Sequence, residues 1–212
     1  MFELTAQQSL REQIAESLRA AIITGEMTAE VLYSVPSLAE KFGVSITPVR
    51  EAMLDLANEG LVEPVKNKGF RLRTLSDKQL DDITSVRLLL EPAAVAELTG
   101  RLSENDVQRL TELSQKIIET AKAGSLTEYV NYDRAFHRAL LELGGNEALT
   151  EIVMSLRAQS RLLGLAELAA RGTLHETAHE HDELIAALQG DDSEKVAEIV
   201  RHHLSHVRRE WA

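Results

Sequence analysis

The spacing of apolar residues along the chain predicts three short helices at its start. In the first, apolar side chains return at every third or fourth position and share one helix face: Leu10, Ile14, Leu18, Ala21 and Ile22. Glycine ends these segments and Pro48 helps to open the third, and they cover residues 8–23, 37–42 and 47–58. A tight turn at Gly43 joins the second and third helices, and two helices spaced in this way form a helix-turn-helix.

The pattern changes from helical spacing to short strands beyond Gly60. Residues 61–65 and 70–73 flank a polar turn at residues 66–69, so this part of the chain predicts a β-hairpin. A hairpin that follows a helix-turn-helix is a wing. Residues 1–74 are therefore predicted to form one domain, a winged helix-turn-helix of three helices and a small β-hairpin.

From residue 75 to 212 the apolar pattern is helical throughout. Glycines divide it into six predicted helices, over residues 77–99, 104–122, 126–143, 147–171, 174–189 and 192–210. Their starts carry capping boxes in Ser76 with Gln79, Ser125 with Glu128 and Thr173 with Glu176, and single caps at Ser103 and Asn146. Short connections favour antiparallel neighbours. The predicted fold class is mainly α, with an all-α antiparallel six-helix bundle following the winged helix-turn-helix.

Composition narrows the chemistry that this fold can carry. Of the 212 residues, 44% are apolar and only 4% aromatic, as expected of a largely helical protein with a sizeable core. The chain has no cysteine, so any metal must be held by histidine and carboxylate side chains. No apolar run approaches the roughly 20 residues that span a bilayer, and the acidic start does not resemble a secretion signal. We therefore expect a cytoplasmic protein with no membrane partner.

The net charge of −11 is shared unequally between the two predicted domains. Residues 1–74 hold 8 Lys/Arg against 10 Asp/Glu, whereas residues 75–212 hold 15 against 24. A DNA-binding domain needs only a local basic face. The first domain has basic residues close together in Arg50, Lys66, Lys68, Arg71 and Arg73. We expect such a small binding unit to act as a dimer.

A family resemblance rests on the helix-turn-helix itself, which reads GVSITPVREAM over residues 43–53 and EGLV over residues 59–62. These stretches closely resemble the winged helix-turn-helix of the GntR family of bacterial regulators. With its all-helical second part, nearly the whole chain resembles the FadR subfamily, whose C-terminal domain is a ligand-sensing FCD domain. The resemblance implies a DNA-binding transcription regulator, expected to be a repressor. The two-fold symmetry of the expected homodimer predicts a short palindromic operator.

The start of the third helix and the wing are the predicted DNA-reading elements, because a helix start offers unpaired N–H groups to phosphates and side chains to base edges. The predicted contact residues are Ser45, Thr47, Arg50, Lys66, Lys68 and Gly69. Ser45 and Thr47 suit phosphates and Arg50 a phosphate or a guanine edge, while Gly69 would let the wing approach the minor groove. Alternatively, Ser45 only caps a helix and the lysines form a solvated turn. Ile46 stands where the family commonly has a DNA-contacting arginine, so the operator or the affinity is expected to differ.

Four residues of the second domain combine metal-binding chemistry with a predicted interior position. His137 follows Asp133 by four positions, and both fall within the apolar stripe of their helix. His181 and His203 fall within the stripes of theirs. Such side chains are costly in a core without a partner, and one divalent ion would satisfy all four. Alternatives are hydrogen-bonded core histidines, or an exposed site at the pairs His175 with His179 and His202 with His206.

The order Asp-His-His-His is the pattern of the metal-binding branch of the FCD family, and these four residues sit where that pattern places its ligands. The resemblance implies a divalent ion, zinc first and nickel or manganese as alternatives, whose open positions take water or a carboxylate effector. An anionic effector needs a nearby cation. Arg87 is in phase with the apolar stripe of its helix and is the candidate, with Arg157 and Arg161 as weaker ones and a salt-bridged arginine as the alternative.

Together these features predict a regulator in which a small organic acid, bound at the metal, changes the affinity for the operator. One rival is a metal-sensing regulator, in which the ion itself is the signal. Another is a metal-dependent hydrolase, since such an ion can activate water. No second carboxylate, serine or lysine is evidently placed as a general base, which disfavours the hydrolase.

Overall fold

The structure, a computed structural model, describes residues 9–161 and 174–210. The chain divides into two compact units, Met1–Thr74 and Leu75–Ala212. The described residues are mainly helical with one small sheet, which confirms the predicted fold class. None of the helices in this part of the chain is long and apolar enough to cross a membrane.

The first unit consists of three helices and a small sheet. Its elements are α1 (Leu10–Ile23), β1 (Leu32–Tyr33), α2 (Val35–Phe42), α3 (Ile46–Asn58), β2 (Val62–Val65) and β3 (Gly69–Leu72). Ser9 and Glu12 form a capping box at the start of α1, which packs against α3. Ser34 caps α2, so this helix begins earlier than predicted. Gly43 ends α2 in the left-handed conformation that glycine favours.

The sheet contains a third strand that the apolar spacing did not predict. Its order is β1-β3-β2 with both pairs antiparallel, and Leu32 of β1 lies opposite Arg71 of β3. Two residues are too few to show an alternating pattern, so β1 leaves no signal in the sequence. Gly69 permits the close approach of β1, because its φ is 134° and a β-carbon there would lie 2.2 Å from the carbonyl oxygen of Tyr33.

The second unit is a helical bundle. Its described helices are α4 (Asp77–Ala96), α5 (Glu104–Ala123), α6 (Leu126–Glu142), α7 (Glu147–Arg161), α8 (Leu174–Leu188) and α9 (Ser193–Glu210). Helix α5 packs against α6 and α8, α9 packs against α4 and α8, and α7 packs against α4 and α6. The predicted continuation of α7 to residue 171 lies outside the described residues, and so does the capping box predicted at Thr173.

Capping side chains set the starts of α4 and α5. Ser76 and Gln79 form the predicted capping box, and Ser103, predicted as a single cap, forms a box with Asp106. The box predicted at Ser125 is wrong, since the Ser125 side chain makes no capping hydrogen bond. Its ψ is 83°, whereas the capping serines of α4 and α5 have ψ values of 159° and 162°, so Ser125 lacks the extended backbone conformation that is usual at an N-cap.

The core of the second unit holds a polar cluster within an apolar surround. Apolar side chains fill most of the space between the helices, among them Leu110, Ile117, Phe136, Leu140, Leu188 and Leu204. Among the described residues of this unit, the buried charged and imidazole side chains are Arg87, Glu91, Asp133, His137, Arg157, His181 and His203. Because each of these groups is costly to bury without a partner, their mutual arrangement defines the candidate site.

Candidate metal centre and nucleic-acid interface

Three helices bring the four predicted metal ligands together. Helix α6 carries Asp133 and His137 one turn apart, α8 carries His181 and α9 carries His203, and all four side chains are buried. The Oδ1 atom of Asp133 lies 3.3 Å from Nε2 of His181 and 3.5 Å from Nε2 of His137. These two Nε2 atoms are 3.2 Å apart, and one ring nitrogen from each of the three histidines lies within 4.8 Å of the others.

These separations match those of ligands on a single ion. Ligand atoms at roughly 2.0–2.1 Å from one metal lie about 3.4 Å apart in tetrahedral geometry. In octahedral geometry adjacent ligands lie about 3 Å apart, and four protein ligands then leave two positions open. The separations among the ligand atoms of His137, His181 and Asp133 are 3.2, 3.3 and 3.5 Å. Nitrogen and carboxylate oxygen donors suit zinc, nickel or manganese. The residues present therefore fit a divalent ion, and the structure favours none of the three metals.

Hydrogen bonds orient two of the imidazole rings. The Nδ1–H group of His181 donates to the carbonyl oxygen of Ala178 at 3.1 Å, and the Nδ1–H group of His203 donates to the carboxylate of Glu180 at 2.5 Å. Because carbonyl and carboxylate oxygens only accept, both rings carry their proton on Nδ1 and keep a lone pair on Nε2. The Nε2 atom of His203 is buried without a hydrogen-bond partner among the described residues. This is the tautomer that binds a metal through Nε2.

Burial keeps two of the imidazole rings neutral. It lowers the pKa of His203 to about 4, although the hydrogen bond to Glu180 acts in the opposite direction. Burial, followed by the positive charge of Arg157, lowers the pKa of His137 well below its usual value. Neutral imidazole is the form that coordinates metals, so at neutral pH a metal displaces no proton from these two rings.

Two arginines and a glutamate form an ion-pair chain beside the histidines. The Nε–H group of Arg87 donates to Oε1 of Glu91 at 2.6 Å, and an Nη1–H group of Arg157 donates to Oε2 of Glu91 at 3.0 Å. Arg157 also donates to Oδ2 of Asp133 at 3.4 Å. Burial alone would raise the pKa of Glu91, but the two arginine charges outweigh it and lower that pKa to about 2. Arg87 thus faces the interior as its helical phase predicts, and it is salt-bridged there.

A small cavity lies against the three histidines. Its border also includes Glu91 and Glu180, and its apolar wall is formed by Val95, Leu140, Leu184, Ile199 and Val200. The space open to the centre of a water molecule is about 10 Å³, which is room for about one water molecule or one ion. An organic acid is larger than this space, so its entry would require side chains at the border to move.

The remaining histidines with described side chains stay outside the cluster. His179 and His202 are exposed. The Nδ1 atom of His179 lies 3.8 Å from Oδ2 of Asp182, and the Nδ1 atom of His202 lies 3.9 Å from Oε1 of Glu180. The side chains of His175 and His206, and that of the weaker effector candidate Arg161, lie outside the described residues. In each of the alternative pairs, His175 with His179 and His202 with His206, the side chain of only one histidine is therefore described.

Sequence reasoning missed two carboxylates of this site. Glu91 follows Arg87 by four residues on the same helix face, and that spacing was a usable signal for an ion pair. Glu180 carried no comparable signal, because its partner His203 lies 23 residues further on in a different helix.

The predicted DNA-contacting side chains lie on the surface of the first unit. Ser45 precedes α3, is exposed and makes no capping hydrogen bond, while Thr47 and Arg50 are exposed in the first turns of that helix. Ile46 is 46% exposed, a high value for a large apolar side chain. Lys66 and Lys68 are exposed in the turn between β2 and β3. Gly69 starts β3 against Tyr33, so the packing of the sheet requires this glycine whether or not DNA is bound.

Comparison with protein families assigns both units. Residues 10–72 match the family described as bacterial regulatory proteins, gntR family. Residues 82–206 match the FCD domain family.

Individual relatives match along nearly the whole chain. The HTH-type transcriptional regulator McbR of Escherichia coli is 29% identical over 203 residues, covering 93% of this chain and 92% of that protein. A probable D-xylose utilization operon transcriptional repressor of Paenarthrobacter nicotinovorans is 26% identical over 211 residues, covering 96% and 91%. The HTH-type transcriptional repressor GlaR of Escherichia coli is 28% identical over 196 residues, covering 88% and 89%.

Solved structures share the fold. The structure of Escherichia coli McbR/YncC superposes with a TM-score of 0.74 at 28% identity and covers 96% of this chain and 95% of that one. A GntR regulator from Rhodococcus has a TM-score of 0.72 at 22% identity, with coverage of 94% and 96%. The architecture described above is therefore that of known regulators.

Proposed function

Because the chain belongs to the FCD-containing GntR family of bacterial regulatory proteins, we propose that it is a repressor whose affinity for operator DNA is controlled by a metal and a small organic acid bound in its second unit. Its families and relatives are transcription regulators, so its activity is DNA binding and not the hydrolysis considered above. Two of the relatives are named as repressors or probable repressors, which supports the direction of control.

The observation that carries the metal proposal is the convergence of His137, His181 and His203, whose ligand atoms lie within 4.8 Å of one another, with Oδ1 of Asp133 at 3.5 and 3.3 Å from the first two. Hydrogen bonds from Nδ1 already orient the rings of His181 and His203 for coordination through Nε2. We assign these four residues as the ligands of a divalent ion, with zinc as first choice and nickel or manganese as alternatives. The bound ion would supply a buried positive charge and open coordination positions.

Charge balance supports an anionic effector. Two buried arginines lie beside the carboxylates of Glu91 and Asp133, and Glu180 adds a third carboxylate at His203. The cluster therefore carries one net negative charge without a divalent ion and one net positive charge with it. Uncompensated charge is costly in a protein interior. An anion would be attracted to this net positive charge, which is why we propose a small organic acid and name Arg87 and Arg157 as its partners.

The first unit would read the operator with α3 and the wing. Exposed Ser45, Thr47 and Arg50 suit contacts in the major groove and to phosphates, and Lys66 and Lys68 suit phosphates beside the wing. We propose that the protein acts as a homodimer in the cytoplasm on a palindromic operator. Ile46 offers no charge at the helix start, so the affinity would depend on the few basic residues named here.

Replacing two ligands tests the metal proposal. The double variant His181→Ala, His203→Ala should lose its bound metal while its first unit still binds operator DNA. The effect of metal and organic acid on operator affinity, typically about 5–150-fold for coupled sites, should disappear. The measurements are elemental analysis of the purified protein and operator binding by fluorescence anisotropy.

A matched control is the double variant His179→Ala, His202→Ala, since both histidines are exposed and lie on the same two helices. This control should keep its metal and its response. Unchanged metal content and unchanged response in the His181→Ala, His203→Ala variant would refute the assignment.

The size of the cavity favours a second candidate, in which the ion itself is the signal. The space beside the histidines accepts an ion and leaves no room for an organic acid unless side chains move. Under this alternative, chelation alone reverses operator binding. Under the first proposal, operator binding responds to organic acids while the metal content stays constant.

A further inference from the structure

Glu91 is a buried carboxylate beside the proposed metal ligands, and the assignment above gives it no function. It is 3% exposed, and both of its oxygens are engaged by guanidinium groups, from Arg87 on its own helix and from Arg157 on α7. A carboxylate held between two arginines is the arrangement by which proteins bind free carboxylates. In this protein the carboxylate between the two arginines is that of Glu91, a residue of the chain itself.

The position of Glu91 coincides with the place that an anionic effector would need. Glu91 borders the same cavity as the three histidines. Its partner Arg157 also donates to Asp133, so one guanidinium group joins Glu91 to a proposed metal ligand. The free space of about 10 Å³ does not admit an organic acid while Glu91 occupies this position.

We propose that Glu91 is an internal competitor of the effector, and that a small monocarboxylate binds by replacing the Glu91 carboxylate on Arg157 and Arg87. This inference rests on the proposed control by an organic acid and specifies how the acid enters the site. The exchange keeps the arginine charges neutralised, and the departure of the Glu91 side chain provides the missing room. Because Arg157 also contacts Asp133, the exchange changes the environment of that ligand.

An internal competitor lowers the apparent affinity for the effector, because the binding-competent state is populated only when Glu91 has left the arginines. The variant Glu91→Gln keeps the shape of the side chain and removes its charge. We expect the half-saturating concentration of acetate, used as the probe, to fall at least about tenfold in the metal-loaded full-length variant. Titration calorimetry at constant ionic strength, with chloride as the balancing anion, measures this value.

The matched control is Glu97→Gln, which removes a carboxylate from the exposed end of the same helix. It should bind acetate as the wild-type protein does. An acetate affinity of Glu91→Gln equal to that of the wild-type protein would overturn the proposal.

A second variant covers the case in which Glu91→Gln does not fold. Glu91→Ala leaves the two arginines without their carboxylate and opens space for acetate. Its thermal unfolding midpoint should rise saturably with acetate, or acetate in the purification buffers should restore folded protein. If acetate changes neither the yield of folded Glu91→Ala protein nor its thermal unfolding midpoint, the proposal is contradicted.

Operator binding separates this inference from the proposed function. If metal removal and acetate both leave the operator affinity of the wild-type protein unchanged, the proposed control by metal and acid fails. If the operator affinity responds to them but Glu91→Gln binds acetate no more tightly than the wild-type protein, only the role of Glu91 fails.

Discussion

At the scale of single residues, burial keeps the imidazole ring of His203 neutral, and this links stability to pH. His203 has a pKa of about 4 in the folded protein, against 6.5 for an ordinary histidine. Between these two values the unfolded chain binds more protons than the folded one, so stability is complete above pH 6.5 and is lost as the pH falls towards 4. At about 1.4 kcal/mol for each pKa unit, the loss is about 3 kcal/mol from this residue.

The metal-free protein should therefore become easier to unfold with urea as the pH falls from 6.5 to 4. The measurement is a series of urea denaturation curves with a chelator present. His203→Gln can still donate a hydrogen bond to Glu180 but lacks the titrating ring, so its stability should depend less on pH. Equal pH dependence of the two proteins would show that His203 is not the titrating group.

At the scale of secondary-structure elements, the wing depends on one glycine. Gly69 has a φ of 134°, and a β-carbon at this position would lie 2.2 Å from the Tyr33 carbonyl oxygen. Gly25 also has a positive φ, 76°, but a β-carbon there would have no neighbour within 4 Å. An alanine at Gly25 would therefore cause backbone strain alone, whereas an alanine at Gly69 would cause backbone strain and a clash between strands.

Gly69→Ala should destabilise the protein by more than Gly25→Ala, for which backbone strain alone predicts about 1–3 kcal/mol. Thermal or urea unfolding measures the difference. Operator binding by Gly69→Ala should weaken because β1 and β3 separate. If Gly69→Ala is no less stable than Gly25→Ala and still loses operator binding, the glycine acts through DNA contact and not through the sheet.

At the scale of the whole molecule, Arg208 is our candidate for coupling the histidine cluster to the chain between the two units. It lies five residues after His203 on α9, and its Nε–H group donates to Asp81 at 2.7 Å and an Nη2–H group to the carbonyl oxygen of Asp77 at 3.3 Å. Asp77 is the first residue of α4, just beyond the boundary at Thr74. We therefore expect a change at His203 to reach the start of α4 through the Arg208 side chain.

Arg208→Ala should keep its metal affinity and lose part of the metal-dependent change in operator affinity. Coupling between sites is typically 1–3 kcal/mol, or about 5–150-fold. In this variant the ratio of the operator affinities with and without metal should move towards one. Arg201→Ala is the control, since Arg201 lies on the same helix in an exposed ion pair with Glu194. An unchanged ratio in Arg208→Ala would remove Arg208 from the route.

Local sequence determined the helices of this protein and the interior phase of its polar residues. The period of apolar positions and the capping serines are contained within single segments, so α4 and α5 begin where the sequence predicts. The same period placed Arg87 and His137 on inward faces, where the structure has them buried. The apolar period did not predict β1, because a two-residue strand is too short to show a period. The capping pattern gave a wrong prediction at Ser125, where the backbone does not have the capping conformation.

Only the tertiary structure decided which interior groups meet. The partners of the cluster lie on different helices, and the residue numbers differ by 44 for His137 and His181 and by 66 for Glu91 and Arg157. Helical phase states that a side chain points inward but not which neighbour it finds, because that depends on how the helices pack. The orientation of His203 by Glu180 and the occupation of the arginine pair by Glu91 are consequences of that packing.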